Sequence, residues 1–248
     1  MRKRILLTND DGYLAPGIRI LRAEVEKQWE TVVVAPDREQ SAASHALTLN
    51  RPLRVTEIDG GMLTVDGTPT DCVMLSIMGL HDRKPDLVIS GINSGANLGD
   101  DVIYSGTVAG AAEAVILGVP AVAVSFVDPA NTDYEWGARV ALAVAGEVFK
   151  NGLPEGIFLN VNIPSQSSPE RYEITHLGKR SYRDVIVKKT DPRGRPYYWI
   201  AGQPEEWRGD DGCDFAAIDR GSISVTPLHM DMTATHVVDE LSSWNFGE

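Results

Sequence analysis

Two adjacent aspartates, Asp10 and Asp11, close a short apolar run and stand directly before Gly12. Paired carboxylates joined by hydroxyl and amide oxygens make a hard donor set that suits Mg2+ or Mn2+ and leaves positions open for water and phosphate oxygens. Zinc is less natural in such a set. Ser41, in Asp37-Arg38-Glu39-Gln40-Ser41, and Asn93, in Gly91-Ile92-Asn93-Ser94-Gly95-Ala96-Asn97, supply those oxygens if their loops lie beside the aspartates. Each has a plainer reading. Asp10 and Asp11 can simply shape an Asn-Asp-Gly turn, Ser41 can bond its own loop backbone, and Asn93 can form an Asx turn. Tyr104-Ser105-Gly106-Thr107 runs into an apolar helix, so backbone N–H groups, two hydroxyls and the positive helix end can face an anion such as phosphate. Ordinary N-capping by Ser105 or Thr107 is the other reading of that turn. Asn97, between the turn and the aspartates, is placed to donate its amide to a phosphate oxygen. Asp100 and Asp101 would repel a phosphate and receive no role. His45 is isolated in sequence and reads as loop polarity.

These loops meet only if each leaves the carboxyl end of a strand in one parallel sheet, where open α/β sheets bind their ligands. The spacing predicts such a sheet. Residues Arg4 to Thr8 read as a strand, Gly17 to Trp29 as an amphipathic helix, and Thr31 to Ala35 as a strand covered on both faces, which makes a right-handed βαβ unit. Pro52 to Ile58 and Met62 to Val65 flank Asp59-Gly60-Gly61 and read as a hairpin set aside from the main sheet. Thr68-Pro69-Thr70-Asp71 carries the signature of a helix start before Cys72 to Leu80. Strands follow at Asp86 to Ser90, Ala121 to Phe126 and Ile157 to Ile163, alternating with helices at Val108 to Leu117 and around Trp136, Val140, Val144 and Val148. Beyond Pro164 the chain turns polar: Arg171 to Lys189 alternates, Asp191 to Pro196 is rich in Gly and Pro, and Tyr197, Tyr198 and Trp199 follow. That pattern reads as an extended hairpin or arm. The expected fold is α/β, a Rossmann-like, doubly wound and mostly parallel sheet with a C-terminal β-hairpin arm. Residues 1–164 form the catalytic core, and residues 165–248 form an arm and oligomerisation segment that returns to it, or the whole is one domain. Exposed aromatics on an arm are commonly covered by a partner subunit or by the same subunit.

Composition narrows the class. The chain has 248 residues, 43% of them hydrophobic, enough for a core of that size. Its 23 basic and 35 acidic residues give a net charge of -12, which argues against a nucleic-acid polymer as partner. A small anion would need a local positive element, and a cation held by carboxylates supplies one. No apolar run reaches the roughly 18 to 20 residues of a membrane span, and the amino-terminal stretch turns polar too soon for a signal peptide, so a cytoplasmic protein without a membrane partner is expected. Cys72 and Cys213 lack metal-site or disulfide spacing and are expected as reduced thiols. Neither a P-loop, a dinucleotide fingerprint, a GxSxG elbow nor an HExxH helix is present.

Ile5 to Gly12 followed by Ala15-Pro16-Gly17, Val34-Ala35-Pro36-Asp37-Arg38 with Ser41, Gly67-Thr68-Pro69, Ser90-Gly91-Ile92-Asn93 with Gly95 and Asn97, and Tyr104-Ser105-Gly106-Thr107 together resemble the stationary-phase survival protein SurE family. The resemblance continues through Leu159-Asn160-Val161-Asn162-Ile163-Pro164 to Thr226-Pro227-Leu228 and Asp231, so it spans essentially the whole chain. It implies a 5'/3'-nucleotidase, a phosphoric monoester hydrolase acting on nucleoside monophosphates with one Mg2+ or Mn2+ per subunit, some members also cleaving polyphosphate. By the same resemblance the metal ligands fall on Asp10, Asp11, Ser41 and Asn93, the phosphate contacts on Asn97, Ser105, Gly106 and Thr107, and the arm is exchanged in a homodimer or homotetramer. Two chemical routes stay open: attack by a water that Asp10 or Asp11 orients, or a covalent aspartyl phosphate. A non-catalytic nucleotide or metal sensor on the same scaffold is the alternative function.

Overall fold

The chain's apolar runs do not alternate with polar residues because helices cover both faces of the sheet they form. A computed structural model describes residues 2–58, 60–165, 171–182, 185–201 and 204–246. Strand β1 (Arg4–Thr8) buries Ile5 and Leu7 on one face and Leu6 on the other. Helix α1 (Pro16–Val25), started by Pro16, turns Ile18, Leu21 and Val25 onto the first face. Then come β2 (Glu30–Pro36), β3 (Val55–Ile58), β4 (Met62–Val65), α2 (Pro69–Leu75), β5 (Leu87–Ser94), α3 (Gly106–Ile116), β6 (Ala121–Phe126), α4 (Tyr134–Asn151) and β7 (Ile157–Ile163). One core packs α1 and α4 against the sheet and the other packs α2 and α3 against its opposite face. Truncating a fully buried leucine such as Leu6 to alanine would cost about 2–5 kcal/mol.

Among the described residues nine strands share one sheet. To state its order, the remaining elements are β8 (Tyr172–Ile174), β9 (Lys179–Tyr182), β10 (Val185–Thr190), β11 (Pro196–Ala201), β12 (Pro204–Arg208), α5 (Asp214–Asp219), β13 (Ile223–His229) and α6 (Val238–Ser242). The order is β3-β4-β2-β1-β5-β6-β7-β13-β8. Strands β4, β2, β1, β5, β6 and β7 run parallel, which places the loops after β1, β2 and β5 at the same end. β13 is antiparallel to β7, so the chain after residue 165 completes the main sheet as well as forming a hairpin. That hairpin, β10 with β11, turns through Asp191 to Arg195 and leaves Tyr197, Tyr198, Trp199 and Ile200 exposed.

Three expectations change. The hairpin at Pro52 to Val65 is not set aside, since β4 pairs in parallel with β2 and extends the sheet. A four-residue edge strand carries no sign of which sheet it will join. Helix α2 begins at Pro69, as the Thr68-Pro69 start signature predicts, with a reciprocal capping box between Thr68 and Asp71, but the end of the expected helix, Ser76 to Leu80, is a π-helical turn. The segment from Gly91 to Ser94 is strand rather than loop: β5 continues through it with a cis Gly91–Ile92 peptide and a register shift against β6.

Candidate active site

Asp10 and Asp11 follow β1, which with β5 forms the middle pair of the six parallel strands. The Asn9 side-chain amide donates to the Gly12 carbonyl at 2.9 Å, and Gly12 turns with φ 87° against the backbone of Arg38, where a Cβ would stand 3.0 Å from the carbonyl carbon. The β1 and β2 loops therefore touch, and the Gln40 N–H donates to the Asp10 carbonyl at 2.7 Å. The aspartates do form the turn that an Asn-Asp-Gly reading calls for. Their side chains nonetheless face inward.

Asp10 is buried and held by α3. The Thr107 hydroxyl donates to its Oδ1, and the backbone of Gly106 and Thr107 lies beside its carboxyl and works to lower its pKa. Gly106 permits this approach, because a Cβ there would lie 2.8 Å from the Asp10 Cβ. The anion at this helix N-terminus is thus the chain's own carboxylate. Burial still raises the Asp10 pKa, with the Thr107 bond opposing it. Asp11 is pushed up to about 6, first by burial, then by the Asp10 charge, while the Ser94 N–H at 3.3 Å pulls the other way and Glu39 adds to the rise. Two neighbouring carboxyls that both resist ionisation are what a bound cation would relieve.

A cleft of about 790 Å³ collects Asp10, Asp11, Ser41, Asn93, Asn97 and Ser105, so six of the eight residues expected from sequence line one space. Asn93 donates its amide N–H to the Gly95 carbonyl at 2.9 Å, which leaves its Oδ1 as an acceptor. The Ser41 hydroxyl donates to Glu39 at 2.6 Å, and its lone pairs stay available. Two carboxylates, a hydroxyl and an amide oxygen fit a hard divalent cation. Gly106 and Thr107 do not line the cleft; they stand behind Asp10 and act on it. Ser105 takes the capping role, accepting from the Val108 N–H at 3.1 Å, and keeps its own hydrogen for a ligand.

Asn97 is held from three sides. Its N–H donates to Asn162 Oδ1 at 2.9 Å, its carbonyl accepts from Asn160 at 2.8 Å and Asn162 at 3.0 Å, and its amide donates to Ser125 Oγ at 2.7 Å. One amide hydrogen is committed inward, and the second is left for the cleft. Glu39, Asp101, Tyr104 and Ile200 also line the cleft. Glu39 was legible from its place two residues before Ser41. Ile200, at the end of β11, has no local signal that brings it there.

A family profile described as survival protein SurE matches residues 5–184. The 5'-nucleotidase SurE of Pelobacter propionicus is 50% identical over 245 residues, covering 98% of this chain and 99% of that protein. That of Geobacter sulfurreducens is 52% identical over 244 residues, covering 97% and 93%. Among solved structures, the SurE protein from Aquifex aeolicus superposes with a TM-score of 0.86 at 45% identity, over 96% of this chain and 98% of that one. With the strand-end residues of the resemblance gathered in one cleft, and with matches of this length, the chain belongs to the survival protein SurE family.

Proposed function

We propose that this protein is a divalent-cation-dependent nucleotidase that hydrolyses nucleoside monophosphates to nucleoside and phosphate. The observation that carries the proposal is the pair Asp10 and Asp11, both shifted upward in pKa, facing one cleft with the oxygens of Ser41 and Asn93. Relatives at about half identity bear the name 5'-nucleotidase SurE, which favours that substrate class. Asp10, Asp11, Ser41 and Asn93 would hold one Mg2+ or Mn2+. When bound, the cation supplies charge stabilisation for a transferring phosphoryl group. Asn97, through its second amide hydrogen, and the Ser105 hydroxyl bind phosphate oxygens. Asp11, less enclosed than Asp10, would orient a water and accept its proton as the water oxygen bonds phosphorus, and that proton would pass to the nucleoside oxygen as the ester bond breaks. The exposed Tyr104 ring and Ile200 at the rim offer an apolar surface to the nucleoside.

The expected setting is the cytoplasm, where the unpaired buried thiols Cys72 and Cys213 stay reduced. The exposed run Tyr197 to Ile200 supports a homodimer or homotetramer formed through the arm, and light scattering tests that state. Phosphate release from a panel of nucleoside monophosphates and polyphosphate, with Mg2+, with Mn2+ and after chelation, tests the activity. Metal-dependent release from nucleotides is the expected result. Tight nucleotide binding without release under any condition would replace the enzyme by a sensor.

A further inference from the structure

Ser41 enters the cleft from a loop with an unfavourable backbone. Ala42 has φ 56° and Ser44 φ 55°, left-handed values that non-glycine residues rarely adopt. Such conformations persist only where the surroundings enforce them. Three bonds cross from this loop to the chain around α3. The Ser44 N–H donates to the Tyr104 carbonyl at 3.1 Å, the Ser44 hydroxyl donates to the Ile103 carbonyl at 2.7 Å, and His45 Nε2 meets Glu113 Oε2 at 2.7 Å.

The third bond is the informative one. Glu113 is only 4% exposed and sits in α3 among the buried alanines Ala111, Ala112 and Ala114. A carboxyl group in such a place destabilises the fold unless a hydrogen-bonding partner meets it, and the His45 ring is that partner. Packing alone gives no reason for a glutamate there. Its position does, because Glu113 follows Gly106 and Gly110 at seven and three residues and so shares their face of the helix. Gly106 approaches Asp10, and Gly110 approaches Thr8 and Ser90. The same helix face that fixes Asp10 therefore reaches, two turns later, the loop that carries Ser41.

We propose that the His45–Glu113 pair is a latch that positions Ser41, so that Asp10 and Ser41 are both registered to one rigid body, α3. His45 and Glu113 are positioning residues, since neither lines the cleft. The proposal rests on the reading of Ser41 as a cation ligand.

The test compares the native protein with His45→Gln and with the double variant His45→Ala/Glu113→Ala, using Mn2+ binding by calorimetry and amide hydrogen exchange across residues 41–46. Gln keeps an N–H donor near the position of Nε2. The double variant removes both partners, so no buried charge is left alone and the fold should survive. The expected result is a Mn2+ dissociation constant raised about tenfold in the double variant and within about twofold of native in His45→Gln. Exchange at 41–46 should quicken in the double variant alone. Native Mn2+ affinity or native exchange in a folded double variant overturns the latch. A native protein that binds no Mn2+ removes the cation reading itself, and exchange then decides the latch alone.

Discussion

Asp10 and Trp199 are both costly where they stand, one a carboxylate 6% exposed and the other an indole 60% exposed. The fold treats them differently. Around Asp10 the neighbours are spoken for: the Thr107 hydroxyl holds the carboxylate, Gly106 makes room for it, and Gln40 bonds its carbonyl. Around Trp199 the hairpin supplies backbone pairing with Val187 and leaves the rings of the Tyr197 to Trp199 run in solvent. Among the described residues, the Asp10 carboxyl and carbonyl at the strand ends already have partners within the chain. The hairpin is a finished backbone with an unfinished surface.

On the proposed function, that contrast predicts that substitutions at the strand ends would cost chemistry and substitutions on the hairpin would cost assembly. The largest effect belongs to Asp11→Asn, which keeps size and removes charge: phosphate release at saturating nucleotide should fall at least about 100-fold while circular dichroism stays native. Gly106→Ala comes next. The added methyl must displace Asp10, and a shift approaching 1 Å should lower kcat by about 10- to 100-fold and reduce Tm. A Gly106→Ala protein with native kcat would show that the cleft tolerates more slack than its bonds imply.

The third effect is a pH dependence. Asp11, at about 6 in the folded chain against 3.8 for an ordinary aspartate, keeps a proton that the unfolded chain releases between those values. With chelator present, this group's contribution makes the fold less stable as pH rises through that window, with the full penalty above about 6. Mn2+ should reverse the trend, since a bound cation favours the carboxylate. Melting curves from pH 4 to 7.5 with chelator and with Mn2+ check this, and Asp11→Asn should flatten the difference. Smallest is Trp199→Ala. Monomer stability should move within about 0.5 kcal/mol and kcat within about threefold, while light scattering should show a smaller species. A large loss of kcat would break the comparison by tying the hairpin to the cleft, a connection that Ile200 already makes at its rim.

Much of the first half was legible because each strand there is a local apolar run and each site residue follows one. The strand Ile157–Ile163 reads directly from its residues, and so does the helix start at Thr68-Pro69. What escaped depends on distance. Nothing near Thr107 tells that its hydroxyl will bond a carboxylate 97 residues earlier, so the turn reads as an anion cradle when the anion is Asp10. Asn93 reads as a loop because glycines surround it, although pairing with Ser125 keeps it in the strand. His45 reads as loop polarity because its partner lies 68 residues away in the middle of a helix.

The seat taken by Asp10 at the start of α3 also bears on timing. The helix end that many proteins offer directly to phosphate is already occupied from within by the Asp10 carboxyl, and Asp11 and Glu39 are further acidic groups lining the same cleft. On the proposed function, an anionic ester reaching the cleft ahead of a cation would meet repulsion, and the expected order of addition is cation before nucleotide. The fraction of molecules open to substrate would then track the free cation level of the surroundings, with nucleotide abundance deciding only how those molecules are filled.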